Sequence, residues 1–182
     1  SAALVLRLSV AGDRHQADAA PPGSGAHPAR DFVAVEVRQA DVDQRHVGPE
    51  APDGGDGLLA VGGGSPMVME LAEELAVMGT KKMVLMTWGG ILQNDIQPGD
   101  IIVCNRAIRD EGASHHYLPP AKYVDADSPL VNELVEAIRE RGASCSVGTT
   151  WTTDAPYRET REEVIQYQAE GVKTVEMESA GL

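Results

Sequence analysis

The sequence predicts an α/β protein in which a largely parallel sheet carries helices on both faces. Apolar, strand-like runs alternate with amphipathic helical segments along the last two thirds of the chain, which is the pattern of a parallel sheet. Glycine-rich or hydroxyl-rich stretches follow several of these strands, where binding sites gather in such folds. The length of 182 residues and the hydrophobic content of 42% are sufficient for a packed core.

The first third of the chain differs from the rest in composition. Residues 1–57 are rich in proline and glycine and contain no lysine. Two short runs in this segment, Leu4–Val10 and Phe32–Val37, are candidate strands, and the stretch between them is typical of loop or disorder. We therefore predict an atypical, weakly structured segment over 1–57 and an α/β domain over 58–182.

Regular alternation starts at Leu58. Gly79 and Gly142 are typical helix stops, and Ser128 is a candidate N-cap. The predicted strands are Leu58–Val61, Met83–Thr87, Ile101–Cys104 with Ile108 as an alternative end, Ser144–Thr150 and Val172–Glu176. The predicted helices are Met67–Met78, Pro129–Arg141 and Glu159–Glu170.

Charge and cysteine content restrict the possible partners. The formal net charge of -13 argues against nucleic acid or an anionic membrane, since both require a clustered Lys/Arg surface. Cys104 and Cys145 lie in apolar, strand-like runs, which suits buried thiols in a reducing compartment, so we expect a cytoplasmic protein. No metal-type spacing is present, and no metal is expected.

The last predicted strand ends on two carboxylates, Glu176 and Glu178, separated by Met177. Residues two apart in a strand point the same way, so both carboxylates can accept hydrogen bonds from one polyol such as ribose. Met177 would then cover the apolar side of that ligand. The alternative is that Glu176 simply ends the strand and that Glu178 favours the start of a helix.

Two turns are candidate anion sites. Gly62–Pro66 lies between a strand and a helix, where backbone amides can approach an anion at the positive end of the helix. Thr87 and Gly89 repeat this arrangement at the next strand and add a hydroxyl. The alternative for Gly62–Pro66 is a plain tight turn.

Two polar loops complete the candidate residues. Arg109–Tyr117 contains two adjacent histidines, for which surface hydrogen bonding is the expected role. Thr152–Arg161 offers Tyr157 and Arg161 as donors to the carbonyl edge of a base. Alternatively, the arginines of this loop pair with the neighbouring glutamates.

These residues resemble the nucleoside phosphorylase family, which includes the uridine phosphorylases and the hexameric purine nucleoside phosphorylases. Four motifs carry the resemblance over Leu58–Leu182, in the family's order: Gly62–Leu75 (GGGSPMVMELAEEL), Thr87–Gly99 (TWGGILQNDIQPG), Arg109–Pro119 (RDEGASHHYLP) and Thr174–Ala180 (TVEMESA). The resemblance implies a three-layer α/β sandwich with a mostly parallel, mixed central sheet.

The resemblance also implies reversible phosphorolysis, in which inorganic phosphate attacks C1′ of a nucleoside and gives ribose 1-phosphate and free base. Phosphate is then a co-substrate, no cofactor is needed, and a homo-oligomer that is dimer-based, and hexameric in the family, is expected. The implied phosphate-binding residues are Gly64 and Thr87, the implied substrate-binding residues are Thr87, Gly89, Tyr157, Arg161, Glu176, Met177 and Glu178, and the catalytic candidates are Glu178 and Arg161.

Substrate choice stays open at this stage. The Arg109–Tyr117 loop favours uridine, and a purine nucleoside phosphorylase, a phosphate-independent nucleosidase and an inactive nucleoside-binding relative are the alternatives. The chain also departs from the family pattern: Val84–Met86 replace its phosphate-binding arginine, and the N-terminal G-D-P-x-R motif is absent. The family continues beyond the position of Leu182, so the resemblance implies that a C-terminal part is missing.

Overall fold

The computed structural model describes residues 63–182 and, before them, the backbone of residues 2–10, 33–36 and 57–60. The strands are β1 (Ala2–Val10), β2 (Val33–Glu36), β3 (Gly57–Ala60), β4 (Lys82–Ile91), β5 (Ile101–Asp110), β6 (Tyr123–Asp125), β7 (Cys145–Thr153) and β8 (Thr174–Glu176). The helices are α1 (Gly64–Val77), α2 (Ser128–Glu140) and α3 (Arg161–Ala169), and Ser114–His116, Pro156–Arg158 and Ser179–Gly181 form 3-10 turns.

The described strands form one mixed sheet in the order β1-β5-β7-β8-β4-β2-β3, with β6 on the edge of β5. Strand β4 pairs with β1 as well as with β8, so five strands curl round and close on themselves. The β1–β5, β5–β7, β7–β8, β2–β3 and β2–β4 pairs are parallel, whereas β1–β4, β4–β8 and β5–β6 are antiparallel. The prediction of a mixed, mostly parallel sheet is therefore confirmed.

Helices cover both faces of the sheet because neighbouring residues of one strand point in opposite directions. On β4, Leu85 packs with Val68 of α1, whereas the adjacent Val84 packs with Leu130 and Val131 of α2. Helix α3 packs against Trp151 of β7, and Cys145 on the same strand packs against α2. Because the two residues are six apart in β7, they point to the same face, so α2 and α3 share that face. The resulting arrangement of helix, sheet and helix confirms the predicted three-layer sandwich.

The helix starts follow local capping chemistry. Helix α2 is capped by Asp127, whose carboxylate accepts a hydrogen bond of 2.9 Å from the Leu130 backbone N–H, so the prediction of Ser128 as the cap is wrong by one residue. Helix α3 starts with a capping box in which Thr160 and Glu163 bond reciprocally. The Glu163 carboxylate is therefore engaged in the cap of α3.

Helix α1 starts at Gly64, three residues before the predicted Met67, because the glycine turn itself forms the first helical turn. Strands β4 and β7 run three or more residues past their predicted ends, and β5 runs to Asp110, beyond both of its predicted ends. The extensions of β5 and β7 include polar residues that pair within the sheet, and the extension of β4 includes two glycines, which hydrophobic patterning does not mark as strand. Within the described residues, no helix is long and apolar enough to cross a membrane.

The two candidate strands in the first 57 residues correspond to β1 and β2. Both pair with β4 through the backbone, β1 antiparallel and β2 parallel. The remainder of residues 1–56 lies outside the described residues. The domain boundary at residue 58 stays a prediction.

A charged cluster ties β6 to α3, and it gives the fold a pH dependence. Lys122 Nζ lies 2.7 and 2.6 Å from the two carboxylate oxygens of Glu170, which also accepts from the Tyr123 hydroxyl and from Gln166. The bond from Lys122, followed by those from Gln166 and Tyr123, lowers the pKa of Glu170 from 4.5 to about 2. Ionised Glu170 therefore contributes to the stability of the native state.

We expect Glu170→Gln to lower the free energy of unfolding at neutral pH and to lose this effect in acid. Because the folded pKa lies below the unfolded one, the contribution is complete above about pH 4.5 and disappears as the pH falls towards about 2. Denaturant unfolding across this range checks it, with Glu140→Gln on the exposed end of α2 as the control. A difference from the native protein that does not change with pH would contradict the assignment.

Candidate active site

The turn that follows β8 lies where three elements meet. Strand β8 sits between β7 and β4 in the sheet, so residues after Glu176 adjoin the carboxyl end of β7 and Thr87 of β4. The start of α1 closes the third side, because the Ser65 backbone N–H donates to the Met177 carbonyl at 2.7 Å. Four stretches thus meet around residues 176–181: the start of α1, Thr87 of β4, the end of β7 and the end of β8.

Glu178 occupies the centre of this site. The Thr87 hydroxyl donates to its Oε2 at 3.1 Å, the Met177 backbone N–H donates to the same oxygen at 3.2 Å, and the backbone of Gly64 also bonds to this carboxylate. Burial, which leaves Glu178 only 6% exposed, raises its pKa, and the Thr87 hydrogen bond opposes that rise. The structure therefore joins the two predicted anion turns through one carboxylate.

Close approach between this turn and α1 depends on glycine. Gly64 has φ +76°, and a Cβ placed on it would lie 3.2 Å from the Met177 carbonyl oxygen. A Cβ on Gly181 would lie 2.9 Å from the Ser65 backbone oxygen. The Ser65 hydroxyl adds a second bond to the Met177 carbonyl, at 3.2 Å. Helix α1 and the Met177–Glu178 turn therefore form one packed unit.

Glu176 is buried beneath the turn, with 5% of its surface exposed. Its Oε1 accepts from the Thr152 hydroxyl at 2.6 Å, and its Oε2 accepts from the backbone N–H groups of Glu178 and Ser179 at 2.8 and 2.6 Å. Burial raises the pKa of Glu176, and the bond from Thr152 is the main opposing effect. The Ser179 hydroxyl is also buried, and it has no hydrogen-bond partner among the described residues.

Hydroxyls continue from Thr152 along the strand. Thr150 and Thr152 of β7 stand opposite Thr174 and Glu176 of β8 in the parallel register. The Thr174 hydroxyl donates to Thr150 Oγ1 at 2.9 Å, and all three threonines are fully buried. Neither Thr152 nor Ser65 is among the site residues predicted from the sequence. The pattern that could have indicated Thr152 is the alternation Thr-x-Thr in β7, which stands opposite Thr-x-Glu in β8.

The remaining predicted site residues are Gly89, Tyr157 and Arg161. Gly89 is buried in β4, two residues beyond Thr87, and Trp88 between them is 53% exposed. Tyr157 is 99% exposed, and Arg161 is exposed at the first position of α3. Among the described residues, neither Tyr157 nor Arg161 forms a hydrogen bond to Glu176 or Glu178. Arg161 forms no ion pair with Glu162 or Glu163 there either.

Arg109 holds its own loop together. Its guanidinium donates to the Ser114 hydroxyl at 2.8 Å and to the Pro119 carbonyl at 2.7 Å, and it is 6% exposed. The Ser114 hydroxyl in turn donates to Glu111. His115 lies 3.3 Å from the Arg109 carbonyl, and both histidines are exposed, as expected for surface residues. Arg109 is therefore a structural residue of this segment.

The arrangement provides hydrogen-bond acceptors and donors side by side. The Glu178 carboxylate is an acceptor for hydroxyl groups. The donors of Thr87 and Gly64 are directed at that carboxylate in this structure, so they are placed to hold negative charge. Met177 is half-buried between them. A ligand with vicinal hydroxyls next to an anionic group matches this set of side chains.

Comparisons with known proteins agree with this chemistry. A sequence model described as the phosphorylase superfamily matches residues 53–182. The chain is similar to the uridine phosphorylase of Salmonella typhimurium, with 32% identity over 139 residues that cover 69% of this chain and 55% of the relative. It is also similar to the guanosine phosphorylase of Halorubrum lacusprofundi, with 30% identity over 68% of this chain and 51% of the relative.

The chain is also similar to a solved structure of the same kind of enzyme. The crystal structure of uridine phosphorylase from Vibrio fischeri matches with a TM-score of 0.59 and 26% identity, covering 69% of this chain and 53% of the other. The chain thus spans about half the length of these relatives.

Proposed function

This chain belongs to the phosphorylase superfamily, and from that premise we propose that it catalyses the phosphorolysis of a nucleoside, with uridine as the favoured substrate. Inorganic phosphate would attack C1′, break the bond to the base and leave ribose 1-phosphate and free base. In this proposal the reaction needs no metal and no organic cofactor. The protein would act in the cytoplasm as a dimer-based homo-oligomer.

One observation carries the proposal: Thr87, Gly64 and Glu178 converge. The Thr87 hydroxyl is 3.1 Å from Glu178 Oε2, so a phosphate donor and a ribose acceptor are within one hydrogen bond of each other. Phosphorolysis requires this proximity, because phosphate must reach the carbon next to the ribose hydroxyls. Distant sites for the two ligands would not support the reaction.

The transition state explains the acidic character of the site. Departure of the base leaves positive charge on the ribose ring, as in glycoside hydrolysis. The Glu178 carboxylate and the bound phosphate would both stabilise that charge. In this scheme Glu178 binds the ribose, Met177 covers it, and Gly64 and Thr87 hold phosphate.

The base would be recognised from the α3 side. Arg161 and Tyr157 are exposed in the loop and helix that follow β7, so their donors are available to a ligand. We retain Arg161 as the catalytic candidate for stabilising the departing base. Uridine is favoured because uridine phosphorylases are prominent among the relatives, and guanosine and purine nucleoside phosphorylases among them make a purine the alternative.

A second candidate is a nucleosidase that uses water in place of phosphate. Leu85 and Met86 precede Thr87, and the guanidinium of Arg109 is fully engaged within its own loop. A phosphate bound by Thr87 and Gly64 would therefore have few cationic partners among the described residues. Weak phosphate binding favours hydrolysis over phosphorolysis.

Base release from uridine and from inosine, measured with and without phosphate, distinguishes these functions. The proposal predicts uracil release that rises with phosphate concentration and is at background without it. Equal rates in phosphate-free buffer would show that the protein is a nucleosidase. Binding of both nucleosides without base release would show that it is an inactive relative, and base release from inosine alone would show that it is a purine nucleoside phosphorylase.

A further inference from the structure

We propose that Glu176 and Thr152 are positioning residues: their hydrogen bonds hold the Met177–Glu178 turn in its binding geometry. This role differs from the one that the family resemblance implies for Glu176, namely lining the ribose pocket. The effect of these residues on substrate binding rests on the proposed function, whereas their effect on the conformation of the turn does not.

The two carboxylates differ in what their hydrogen bonds hold. Glu176 accepts from the Thr152 hydroxyl of β7 and from the backbone N–H groups of Glu178 and Ser179, so its bonds fix the turn itself. Glu178 is equally buried, but its bonds reach Thr87 of β4 and the backbone of Gly64 in α1. Glu176 thus connects the turn to the neighbouring strand, whereas Glu178 connects it to the predicted anion turns.

Thr152 links Glu176 to the far end of the turn. Its hydroxyl donates to Glu176 Oε1 at 2.6 Å and accepts from the Ala180 backbone N–H at 3.0 Å. Because Thr152 pairs with Glu176 across the β7–β8 ladder, the rigid sheet sets the position of this hydroxyl. The backbone N–H groups of three consecutive residues, 178–180, are therefore anchored through one side-chain pair.

This anchoring determines where the Glu178 carboxylate lies. The backbone of Glu178 is fixed by its N–H bond to Glu176, and the side chain then reaches Thr87 on another strand. Loss of the Thr152 hydroxyl would remove one of the three hydrogen-bond donors to Glu176. It would also leave the Ala180 backbone N–H without its acceptor in the protein interior. Such groups are costly, so the turn would rearrange to find new partners.

The chain contains a matched control. Thr150 and Thr152 are on the same strand, both are fully buried, and both hydroxyls bond across to β8. The Thr150 hydroxyl bonds to Thr174, away from the turn. Thr150→Val and Thr152→Val therefore remove the same group from equivalent surroundings, but only the second disturbs Glu176.

We expect Thr152→Val to raise the KM for uridine by about tenfold or more, the effect of losing a charged hydrogen bond. Thr152→Ser, which keeps the hydroxyl, should stay within about threefold of the native protein, and so should Thr150→Val. Equal KM changes in Thr152→Val and Thr150→Val would show a general loss of stability and would overturn the proposal.

Amide hydrogen exchange tests the turn without reference to activity. In Thr152→Val, the amide hydrogens of Glu178, Ser179 and Ala180 should exchange at least about tenfold faster than in the Thr150→Val control. Unchanged protection at these three amides would overturn the positioning role, whatever the kinetics. If the native protein releases no base, the proposed function fails, and the exchange result alone then decides whether Glu176 and Thr152 hold the turn.

Discussion

Glu178→Gln is expected to lower nucleoside affinity, or turnover where it is measured, by about 10- to 150-fold. The substitution keeps the size of the side chain but replaces a charged acceptor of ribose hydroxyls by a neutral amide. A charge-assisted hydrogen bond contributes roughly 1.5–3 kcal/mol, which gives this range. Titration calorimetry with uridine checks the affinity, and Glu162→Gln, an exposed acid at the start of α3, is the control.

The same variant separates binding from stability. Burial raises the pKa of Glu178, so the folded state disfavours its charged form, and this penalty grows as the pH rises from the unfolded pKa through the folded one. The neutral glutamine avoids that penalty, and we expect no loss of melting temperature at pH 7. Unchanged uridine affinity with a lowered melting temperature would mean instead that Glu178 only stabilises the start of α1.

The binding itself should depend on pH. Because an ionised Glu178 accepts the ribose hydroxyls, uridine affinity in the native protein should fall as the pH drops through the raised pKa of this group. Glu178→Gln should remove that part of the pH profile. This second readout links the loss of affinity to the charge of Glu178.

Gly64→Ala is expected to reduce turnover by about tenfold or more and also to destabilise the fold. At φ +76° an alanine costs about 1–2 kcal/mol of backbone strain. Its Cβ would also lie 3.2 Å from the Met177 carbonyl oxygen and would push the turn away from α1. Displacements of ångström size in a catalytic arrangement cost up to about 100-fold in rate.

Gly142→Ala is the matched control for this effect. Gly142 has the same φ of +76°, but a Cβ placed on it meets no atom within 4 Å. Both variants should therefore lose similar stability in denaturant unfolding, and only Gly64→Ala should lose nucleoside turnover. Equal turnover in the two variants would contradict the role of the contact between α1 and the Met177–Glu178 turn.

Much of this arrangement follows from local sequence patterns. The predicted end of the last strand at Glu176 is confirmed, because a strand end is a local property of the sequence, and the role of Glu178 in ribose binding stays a prediction. The glycine turn and Thr87 were likewise identified from their position after a strand. What the spacing alone did not decide was that both donors converge on Glu178, since that depends on β8 inserting between β7 and β4.

The different roles of the two glutamates required the structure. In the sequence, Glu176 and Glu178 are equivalent acids on one face of a strand. The register of β7 against β8 brings Thr152 to Glu176, while the turn directs Glu178 to Thr87. Pairing between strands more than twenty residues apart is not encoded in any short window, so patterning missed Thr152. The choice of Asp127 over Ser128 as a cap was equally undetermined, because both residues cap helices well.

The central claim is that inorganic phosphate attacks C1′ of a nucleoside at the site formed by Thr87, Gly64 and Glu178. Phosphorus NMR of the products from uridine and phosphate tests it most directly. The account predicts one ribose 1-phosphate for each uracil released, and the loss of this product in Glu178→Gln and Gly64→Ala. Free ribose in place of ribose 1-phosphate would contradict it.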